Sequence, residues 1–232
     1  MLDKNITVGI IGAMDREVDT LKAAVENPTK ISKAGMDFVL GTLSGRKVVI
    51  VKSGIGKVNA AICTQILVDD FGVKFVINTG AAGSLDSNVR IGDIVIGTEV
   101  GWHDVDAVDF GWKLGVVPFM PEYFEADADM CEWVASNCRR LLPEVSVHLG
   151  RIVSGDVFVG RKDKKEWISE HFNALCTEME GAAVAQAAYI NKIPFLILRA
   201  MSDEADDEAG VSFEEFSVSA SERNIRLLKE IL

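Results

Sequence analysis

Short apolar runs alternate along the chain with longer stretches in which apolar residues recur at helical spacing. The runs VGIIG, VVIV, FVIN and FLIL show no alternation of polar and apolar positions, which is typical of strands buried on both faces of a sheet. Seven strands are predicted, at 7–11, 47–52, 75–78, 93–96, 146–153, 174–176 and 195–199. A central, largely parallel sheet is therefore expected.

Helical spacing predicts six helices, at 16–25, 58–70, 127–142, 164–171, 181–190 and from 212 to the end of the chain. The last begins with the sequence SFEE, which predicts a capping box in which the Ser212 hydroxyl and the Glu215 carboxylate bind free amide groups. Helices on both faces give a three-layer α/β/α sandwich around a central mixed, largely parallel sheet. One domain is expected over residues 1–232.

The segment 101–127 breaks this pattern, because it is rich in aromatic residues and has no amphipathic period. A long aromatic loop in a compact domain is usually a functional element or an interface. His103 and Asp104 within it could form a catalytic pair. Adjacent residues on an extended segment point to opposite sides, however, so a structural role is predicted for both.

The charge of the chain limits its partners. The 232 residues carry a formal net charge of −11, so binding to nucleic acid or to an anionic membrane is not expected. The N-terminal residues lack the features of a signal peptide. Apolar runs also stay well short of the ~20 residues that a membrane span needs.

Cysteine usage indicates a reducing compartment. The four cysteines, Cys63, Cys131, Cys138 and Cys176, form no CxxC pair and have no histidine at ligand spacing. The sequence therefore predicts reduced thiols, a cytoplasmic location and no metal site. No organic cofactor is implied either.

Three glycine-rich turns follow apolar strands, at 9–14, 53–57 and 79–84. Ligands of open α/β sheets bind at the carboxyl ends of strands, where glycine allows backbone amides to approach closely. A dinucleotide site is the first alternative, but GIIGAM lacks the GxGxxG spacing. A plain structural turn remains an alternative for each turn taken singly.

Acidic residues next to these strand ends are more informative. Glu17 follows the first glycine turn, Glu178 and Glu180 follow the strand at 174–176, and Asp203 follows the strand at 195–199. Carboxylates at a ligand-binding edge are candidate functional groups. The structural alternatives are a helix cap for Asp203 or Glu180, and for Glu17 a solvated glutamate favoured by the helix dipole.

In these blocks the chain resembles the 5′-methylthioadenosine/S-adenosylhomocysteine nucleosidases of the purine nucleoside phosphorylase superfamily. The resemblance covers essentially the whole chain, and its most specific part is the combination of SGDVF, TEMEGAA and RAMSDEAD. The matching blocks are IGAMDREV (11–18), VKSGIGKVNAA (51–61), INTGAAGSL (77–85), IGDIVI (91–96), IVSGDVFV (152–159), TEMEGAAVAQ (177–186), LRAMSDEAD (198–206) and SFEEF (212–216).

The resemblance implies a nucleoside phosphorylase-like fold and assigns roles in hydrolysis of the N-ribosidic bond. Asp203 would be the general acid that protonates adenine N7, and Glu17 would orient and deprotonate the attacking water. Glu180 would bind the ribose hydroxyls, with Met179 against the sugar. These residue types suit the reaction, because cleavage needs an acid on the base side and negative charge near an oxocarbenium-like sugar.

Further positions in the matched blocks would complete the substrate site. By the same resemblance Phe158 would stack on adenine, the Val159 backbone would bind its Watson–Crick edge, and Arg199 would lie near the water. Phe158 and Met179 could instead be core residues. The remaining predicted contacts are Met14, Ile55, Ala82, Gly83, Glu178, Ser202 and Phe213.

The resemblance also implies a homodimer. Phe213 matches a position that surrounds the 5′-alkylthio group. Phe110 and Pro118 match positions that would reach the same group from the neighbouring subunit. Two identical subunits would then complete each other's active sites.

Three other functions remain as alternatives. A phosphorylase would need cations and hydroxyls for phosphate. Ala81 and Ala82 stand where a hydroxyl would help, however, and Arg16 and Arg90 are the only nearby cations, so water is favoured as the nucleophile. Family members often carry a hydroxyl at the position of Ala81, so its contacts could differ here.

The main substrate could also be another adenine riboside, such as 5′-deoxyadenosine or aminofutalosine. A non-catalytic nucleoside sensor is the third alternative.

Overall fold

The computed structural model describes residues 5–232. The expectation that the chain has no signal peptide concerns the N-terminal residues, and the first four of these lie outside the described part. The described residues form six α-helices and ten strands. The helices are α1 (Asp15–Ala23), α2 (Lys57–Asp69), α3 (Ala128–Leu141), α4 (Lys162–Phe172), α5 (Gly181–Asn191) and α6 (Ala209–Ile231). The strands are β1 (Val8–Gly12), β2 (Glu26–Lys33), β3 (Met36–Leu43), β4 (Arg46–Lys52), β5 (Phe75–Ser84), β6 (Ile94–Trp102), β7 (Phe124–Glu125), β8 (Val147–Ser154), β9 (Cys176–Glu178) and β10 (Phe195–Asp203).

The strands form one mixed sheet, in the order β2-β3-β4-β1-β5-β9-β8-β6-β10 with β7 beside β6. Parallel pairings join β4, β1, β5 and β10, and a second parallel set joins β6, β8 and β9. The last strand, β10, also pairs with β5, so five strands close into a ring. The end of β5 is where three neighbouring strands meet.

Helices cover both faces of the sheet, as the uninterrupted apolar runs predict. α2 and α5 pack on one face, where Val49, Val51 and Val76 lie in the same buried cluster. α1, α3 and α6 pack on the other face, against Ile10 and Ile50. Burying side chains of this size contributes about 1.5–3 kcal/mol each. The predicted three-layer α/β/α architecture is confirmed.

Three features differ from the sequence-based expectation. The hairpin of β2 and β3 was not predicted, because β2 has the polar sequence ENPTKISK and is exposed at every position. The two-residue strand β7 was also not predicted. Strands β5, β6 and β10 continue several residues past their apolar runs, and the added residues of β5 and β10 line the site.

The capping box predicted at Ser212 is wrong. Helix α6 begins at Ala209, and the Ser212 amide donates to the Glu208 carbonyl at 3.0 Å, so Ser212 lies one turn inside the helix. The first turn is built from the residues Ala209, Gly210 and Val211, which carry no capping signal. Sequence alone therefore placed the start of the helix at the strongest polar signal rather than at its true first turn.

The structure also shows the state of the cysteines, the character of the helices and the grouping of possible metal ligands. All four cysteines are free and buried, and burial raises the pKa of the Cys63 thiol to about 12, which keeps it protonated. In residues 5–232 no helix is both long and apolar enough to span a membrane. That same part of the chain contains no group of three or more His, Cys, Asp and Glu side chains arranged to hold a metal ion.

Candidate active site

A cavity of about 360 Å³ opens at the carboxyl ends of β1, β5, β9 and β10, which is where parallel strands present ligand sites. Four of its lining side chains are carboxylates. The lining consists of Ala13, Met14, Glu17, Ile55, Ala81, Ala82, Gly83, Val157, Phe158, Val159, Thr177, Glu178, Met179, Glu180, Ser202, Asp203 and Phe213.

Every catalytic and substrate-binding residue predicted for this chain's own subunit lies on the cavity, except Arg199, which is buried beneath it. Sequence reasoning missed the lining residues Ala13, Val157 and Thr177. Each is a direct neighbour of a predicted site residue, but their small or apolar side chains carry no chemical signal. Only the geometry reveals them.

Glu17 is held by backbone amides in the first turn of α1. One of its oxygens, Oε2, accepts from the amides of Ala13 at 2.7 Å and Met14 at 3.0 Å, and Oε1 accepts from the amide of Ala81 at 3.2 Å. Burial raises the pKa of this carboxyl, although the Arg199 charge and the three amides oppose the rise. Glu17 is only 3% exposed, so it is not the solvated glutamate of the structural alternative.

Gly80 allows Glu17 and Arg199 to approach each other. A Cβ atom at this position would lie 2.3 Å from Arg199 Nη1 and 2.7 Å from Glu17 Oε1, closer than any real contact. The third glycine turn, which lies at the end of β5, therefore has a specific function. It leaves room for a cation and a carboxylate on the same strand edge.

Arg199 and Glu178 form an ion pair under the floor of the cavity. The Arg199 guanidinium, 1% exposed, donates to the Glu178 carboxylate and to the Asn78 side-chain oxygen. Glu178 also accepts from the amide of Gly181 at 2.7 Å and from the Ser154 hydroxyl. Glu178 lines the cavity, but its oxygens are occupied by protein donors at the start of α5.

Glu180 lies at the start of α5, where it faces the second glycine turn. Its Oε1 accepts from the amide of Gly56 at 2.9 Å. Burial and the neighbouring Glu178 charge raise the pKa of Glu180 to about 7, and Arg199 and the Gly56 amide oppose the rise. This carboxyl therefore changes its charge near neutral pH.

Asp203 ends β10, opposite the third glycine turn. Its Oδ2 accepts from the Ser202 hydroxyl at 2.8 Å, and its Oδ1 accepts from the amide of Ala205 at 2.9 Å. Burial raises the pKa of Asp203, which is 2% exposed. Helix α6 begins six residues later, so Asp203 is not its N-cap.

Two phenylalanines form an aromatic wall at the mouth. Phe158 and Phe213 meet edge to face, with 5.9 Å between their ring centroids. Phe158 is half exposed and Ile55 is also exposed, whereas Val159 beside it is buried. The exposed face of Phe158 therefore offers a surface on which a flat ring can stack at the mouth of the cavity.

The loop 103–123 lies outside the cavity. Phe110 is 86% exposed and Pro118 is half-buried, and neither lines the cavity of its own chain. His103, in contrast, is buried, and burial lowers the pKa of its imidazole. Asp104 accepts from Lys57 Nζ at 2.7 Å, and neither residue of the candidate pair lines the cavity.

The charge of the lining distinguishes between kinds of substrate. The cavity has four carboxyl groups and, among the described residues, no Lys, Arg or His side chain. Arg16 donates to the Ser217 hydroxyl at 2.5 Å and lies over the Phe213 ring, and Arg90 is exposed elsewhere. A phosphate dianion would meet four acids, and the nearest buried cation, Arg199, is already paired with Glu178, whereas a cationic transition state would be stabilised.

Known proteins resemble this chain over nearly its full length. The family model of the phosphorylase superfamily matches residues 7–232. A 5′-methylthioadenosine/S-adenosylhomocysteine nucleosidase from Staphylococcus haemolyticus is 40% identical over 226 residues, which cover 97% of this chain and 98% of that protein. A nucleosidase of the same name from an Exiguobacterium species is 43% identical over 228 residues, 97% of this chain and 96% of its own length.

Solved structures agree in fold. The nucleosidase of this kind from Neisseria meningitidis, in complex with methylthio-immucillin-A, superposes with a TM-score of 0.93 and 41% identity over 97% of each chain. The one from Colwellia psychrerythraea, in complex with adenine, gives a TM-score of 0.94 and 38% identity over 97% of this chain and 94% of its own.

Proposed function

The chain belongs to the phosphorylase superfamily and, within it, to the 5′-methylthioadenosine/S-adenosylhomocysteine nucleosidases, and we propose that it hydrolyses the N-ribosidic bond of both nucleosides. The products are adenine and the corresponding 5′-thioribose. The observation that carries this proposal is a cavity that is lined, within residues 5–232, by four carboxyl groups and no cationic side chain. Such a lining favours water over phosphate as nucleophile and stabilises a positively charged sugar.

Asp203 supplies the proton to the leaving group. Adenine leaves poorly as an anion, so a proton at N7 is needed as the C–N bond breaks. The raised pKa of Asp203 helps this carboxyl to retain a proton in its buried position, and its bonds to Ser202 and Ala205 fix its direction. Positioned acids of this kind typically contribute about 10²–10⁴ in rate.

Glu17 acts on the water. Its pKa is also raised, which makes its ionised form a stronger base, and its two oxygens are oriented by three amides. The carboxylate accepts a proton as water adds to the anomeric carbon. The Arg199 charge below it opposes the rise in the pKa and thereby favours the ionised form that acts as the base.

Glu180 and the apolar wall bind the substrate. Glu180 accepts hydrogen bonds from the ribose hydroxyls, with Met179 against the sugar, and its negative charge stabilises the oxocarbenium-like transition state. Phe158 stacks on adenine, while the Val159 backbone pairs with its edge. Met14, Ile55 and Phe213 line the space left for the 5′ substituent.

A second subunit closes the 5′ end of the site. Phe110 is 86% exposed on its own chain, which supports a role for it and Pro118 in the site of a partner. Exposed apolar residues on α2 and α5, among them Val58, Ile62 and Ile190, form a surface suited to a symmetric homodimer.

The remaining expectations follow from the family. The match over residues 7–232 supports a single nucleosidase domain across residues 1–232. Four free buried thiols support a cytoplasmic location. The substrates are small adenine nucleosides, and the mechanism uses only side chains and water.

Product identification tests the function. Purified protein is incubated with 5′-methylthioadenosine, S-adenosylhomocysteine, 5′-deoxyadenosine and aminofutalosine, with and without phosphate. We expect adenine and free thioribose, at a rate that phosphate does not change. Ribose 1-phosphate products would indicate a phosphorylase, faster cleavage of another riboside would change the substrate, and binding without cleavage would indicate a sensor.

A further inference from the structure

Three charged residues form a connected cluster outside the cavity, which we call the clasp: Lys57, Asp104 and Asp156. Lys57 Nζ donates to Asp104 Oδ2 at 2.7 Å. The same Asp104 oxygen accepts from the Asp156 amide at 2.9 Å, and Asp156 Oδ1 accepts from the Lys57 amide at 2.8 Å. The clasp thereby connects the start of α2, the loop after β6 and the turn after β8.

The clasp adjoins the carboxylate proposed to bind ribose. Gly56, which donates its amide to Glu180 Oε1 at 2.9 Å, directly precedes Lys57. Gly56 has φ of +97°, and a Cβ atom there would lie 3.0 Å from Asp156 Oδ1. Since the Lys57 amide is bonded to Asp156, the backbone that directs the Gly56 amide at Glu180 is held in place by the clasp.

The clasp also adjoins the aromatic wall. Asp156 directly precedes Val157 and Phe158, which line the cavity. The preceding residue, Gly155, packs so closely that a Cβ atom would lie 2.4 Å from His103 Cε1 and 2.9 Å from Asp104 Cγ. The turn that carries Phe158 is therefore seated on the first two residues of the loop after β6.

Stability alone is a weak reason for this arrangement. Partly exposed ion pairs contribute only about 0–1 kcal/mol, and the Asp156 side chain is 47% exposed. The clasp binds two backbone amides, that of Asp156 next to the lining residue Val157 and that of Lys57 next to Gly56, and these bonds do more for orientation than for stability. Misplacement of a substrate contact by about 1 Å can cost about 10²-fold in rate.

We propose that Lys57, Asp104 and Asp156 are positioning residues that direct the Gly56 amide at Glu180 and seat the turn before Phe158. This positioning role depends on the ribose contact proposed above for Glu180. The connection of the clasp to the loop after β6 also means that the segment carrying Phe110 and Pro118 is tied to the ribose contact of its own subunit.

The pH profile gives a readout that a merely structural role would not change. The charged groups facing Glu180 are Glu178, Arg199 and Glu17, and the Gly56 amide lowers the pKa of Glu180 against the effect of burial. Loss of the clasp releases that amide, so the pKa of Glu180 rises. The acidic limb of kcat/KM should then move to higher pH.

The test compares Lys57→Met and Asp156→Ala with the conservative Lys57→Arg and Asp156→Asn, in the full-length enzyme. We expect the first two to lower kcat/KM for methylthioadenosine about 10-fold to 100-fold and to move the acidic limb upward. Asp156→Asn keeps the Oδ1 acceptor for the Lys57 amide, so it should restore most of the rate and the wild-type limb.

Glu99→Gln is the matched control, because it breaks the partly exposed Arg151–Glu99 pair of 2.7 Å away from the cavity. It should leave the limb unchanged. A Lys57→Met and an Asp156→Ala protein that keep the wild-type rate and limb would overturn the proposal, as would the same shift in the Glu99→Gln control. If Lys57→Met does not fold, the half-exposed Asp156 variants decide; absence of hydrolysis in the wild type would instead refute the proposed function.

Discussion

Asp203 lies directly opposite Gly83 in the parallel pairing of β10 with β5, and a Cβ atom at position 83 would lie 2.6 Å from Asp203 Oδ1. The third glycine turn therefore leaves the space that the catalytic acid occupies. The backbone of Gly83 has no positive φ, so its absent side chain, rather than its backbone conformation, is what the site requires.

Gly83→Ala should impair catalysis more than folding. The new methyl group would push Asp203 and Ala205 away, and the acid would lose its alignment with N7. We expect a loss of about 10²-fold in kcat with methylthioadenosine. Thermal unfolding of the variant, measured beside the wild type, serves as the control. An unchanged kcat would show that Asp203 does not need this position.

Asp203→Asn should abolish adenine release while nucleoside binding remains. The amide cannot donate an acidic proton to N7, so the loss should reach about 10²–10⁴-fold. Adenine release is measured by absorbance, and binding of an uncleavable analogue by calorimetry. Turnover at the wild-type rate would remove Asp203 from the acid role.

Glu17→Gln should stop hydrolysis without loss of inhibitor affinity. The amide keeps the shape of the side chain but cannot take a proton from water. Single-turnover rates and inhibitor dissociation constants separate the two effects. An unaltered rate would exclude Glu17 as the base, and lost affinity would place it among the binding groups.

Glu180 should make the fold less stable as pH rises. The pKa of Glu180 is about 7 in the folded state against 4.5 for an unperturbed glutamate, so its stabilising contribution is fully present below pH 4.5 and is lost as the pH rises past 7. We expect the wild type to lose up to roughly 3 kcal/mol between pH 5 and 8 relative to Glu180→Gln. Denaturant unfolding at several pH values measures the difference, and parallel curves would contradict the shifted pKa.

Mixed dimers test whether subunits complete each other's sites. Phe110→Ala should lower kcat/KM for methylthioadenosine, and Asp203→Asn should be inactive. In a mixed dimer of the two variants, the chain with Asp203 receives Phe110 from the other subunit, so one site of two should recover. Absence of recovery in a dimer shown to be mixed would mean that each chain builds its site alone.

Much of this fold follows from local patterns. Runs such as FLIL predicted buried strands and their places in the chain, because a strand covered on both faces must be apolar throughout. The hairpin of β2 and β3 could not be found in this way. Residues 26–33 are polar and exposed, so only pairing with β3 reveals them as a strand.

Some residues of the site could be predicted from the sequence and others could not. Glu17, Glu180 and Asp203 could be predicted, because acids next to strand ends and glycine turns carry a chemical signal. Thr177 and Val157 could not, since their position on the cavity depends on how strands pair. The hydrogen bonds that Arg199 and Ser154 donate to Glu178 could not be predicted either, because those partners come from other parts of the chain.

The three strands that meet at the end of β5 connect the acids to one another, in addition to the anchors that each acid has of its own. Gly83 pairs with both Thr177 and Asp203, and the Ala81 amide binds Glu17. A shift of β5 along its neighbours would therefore displace the proton donor Asp203, the water base Glu17 and the sugar contact Glu180 together. The rim of the pocket, by contrast, comes from separate segments that carry Ile55, Phe158 and Phe213, so a change in one rim residue leaves the three acids in place.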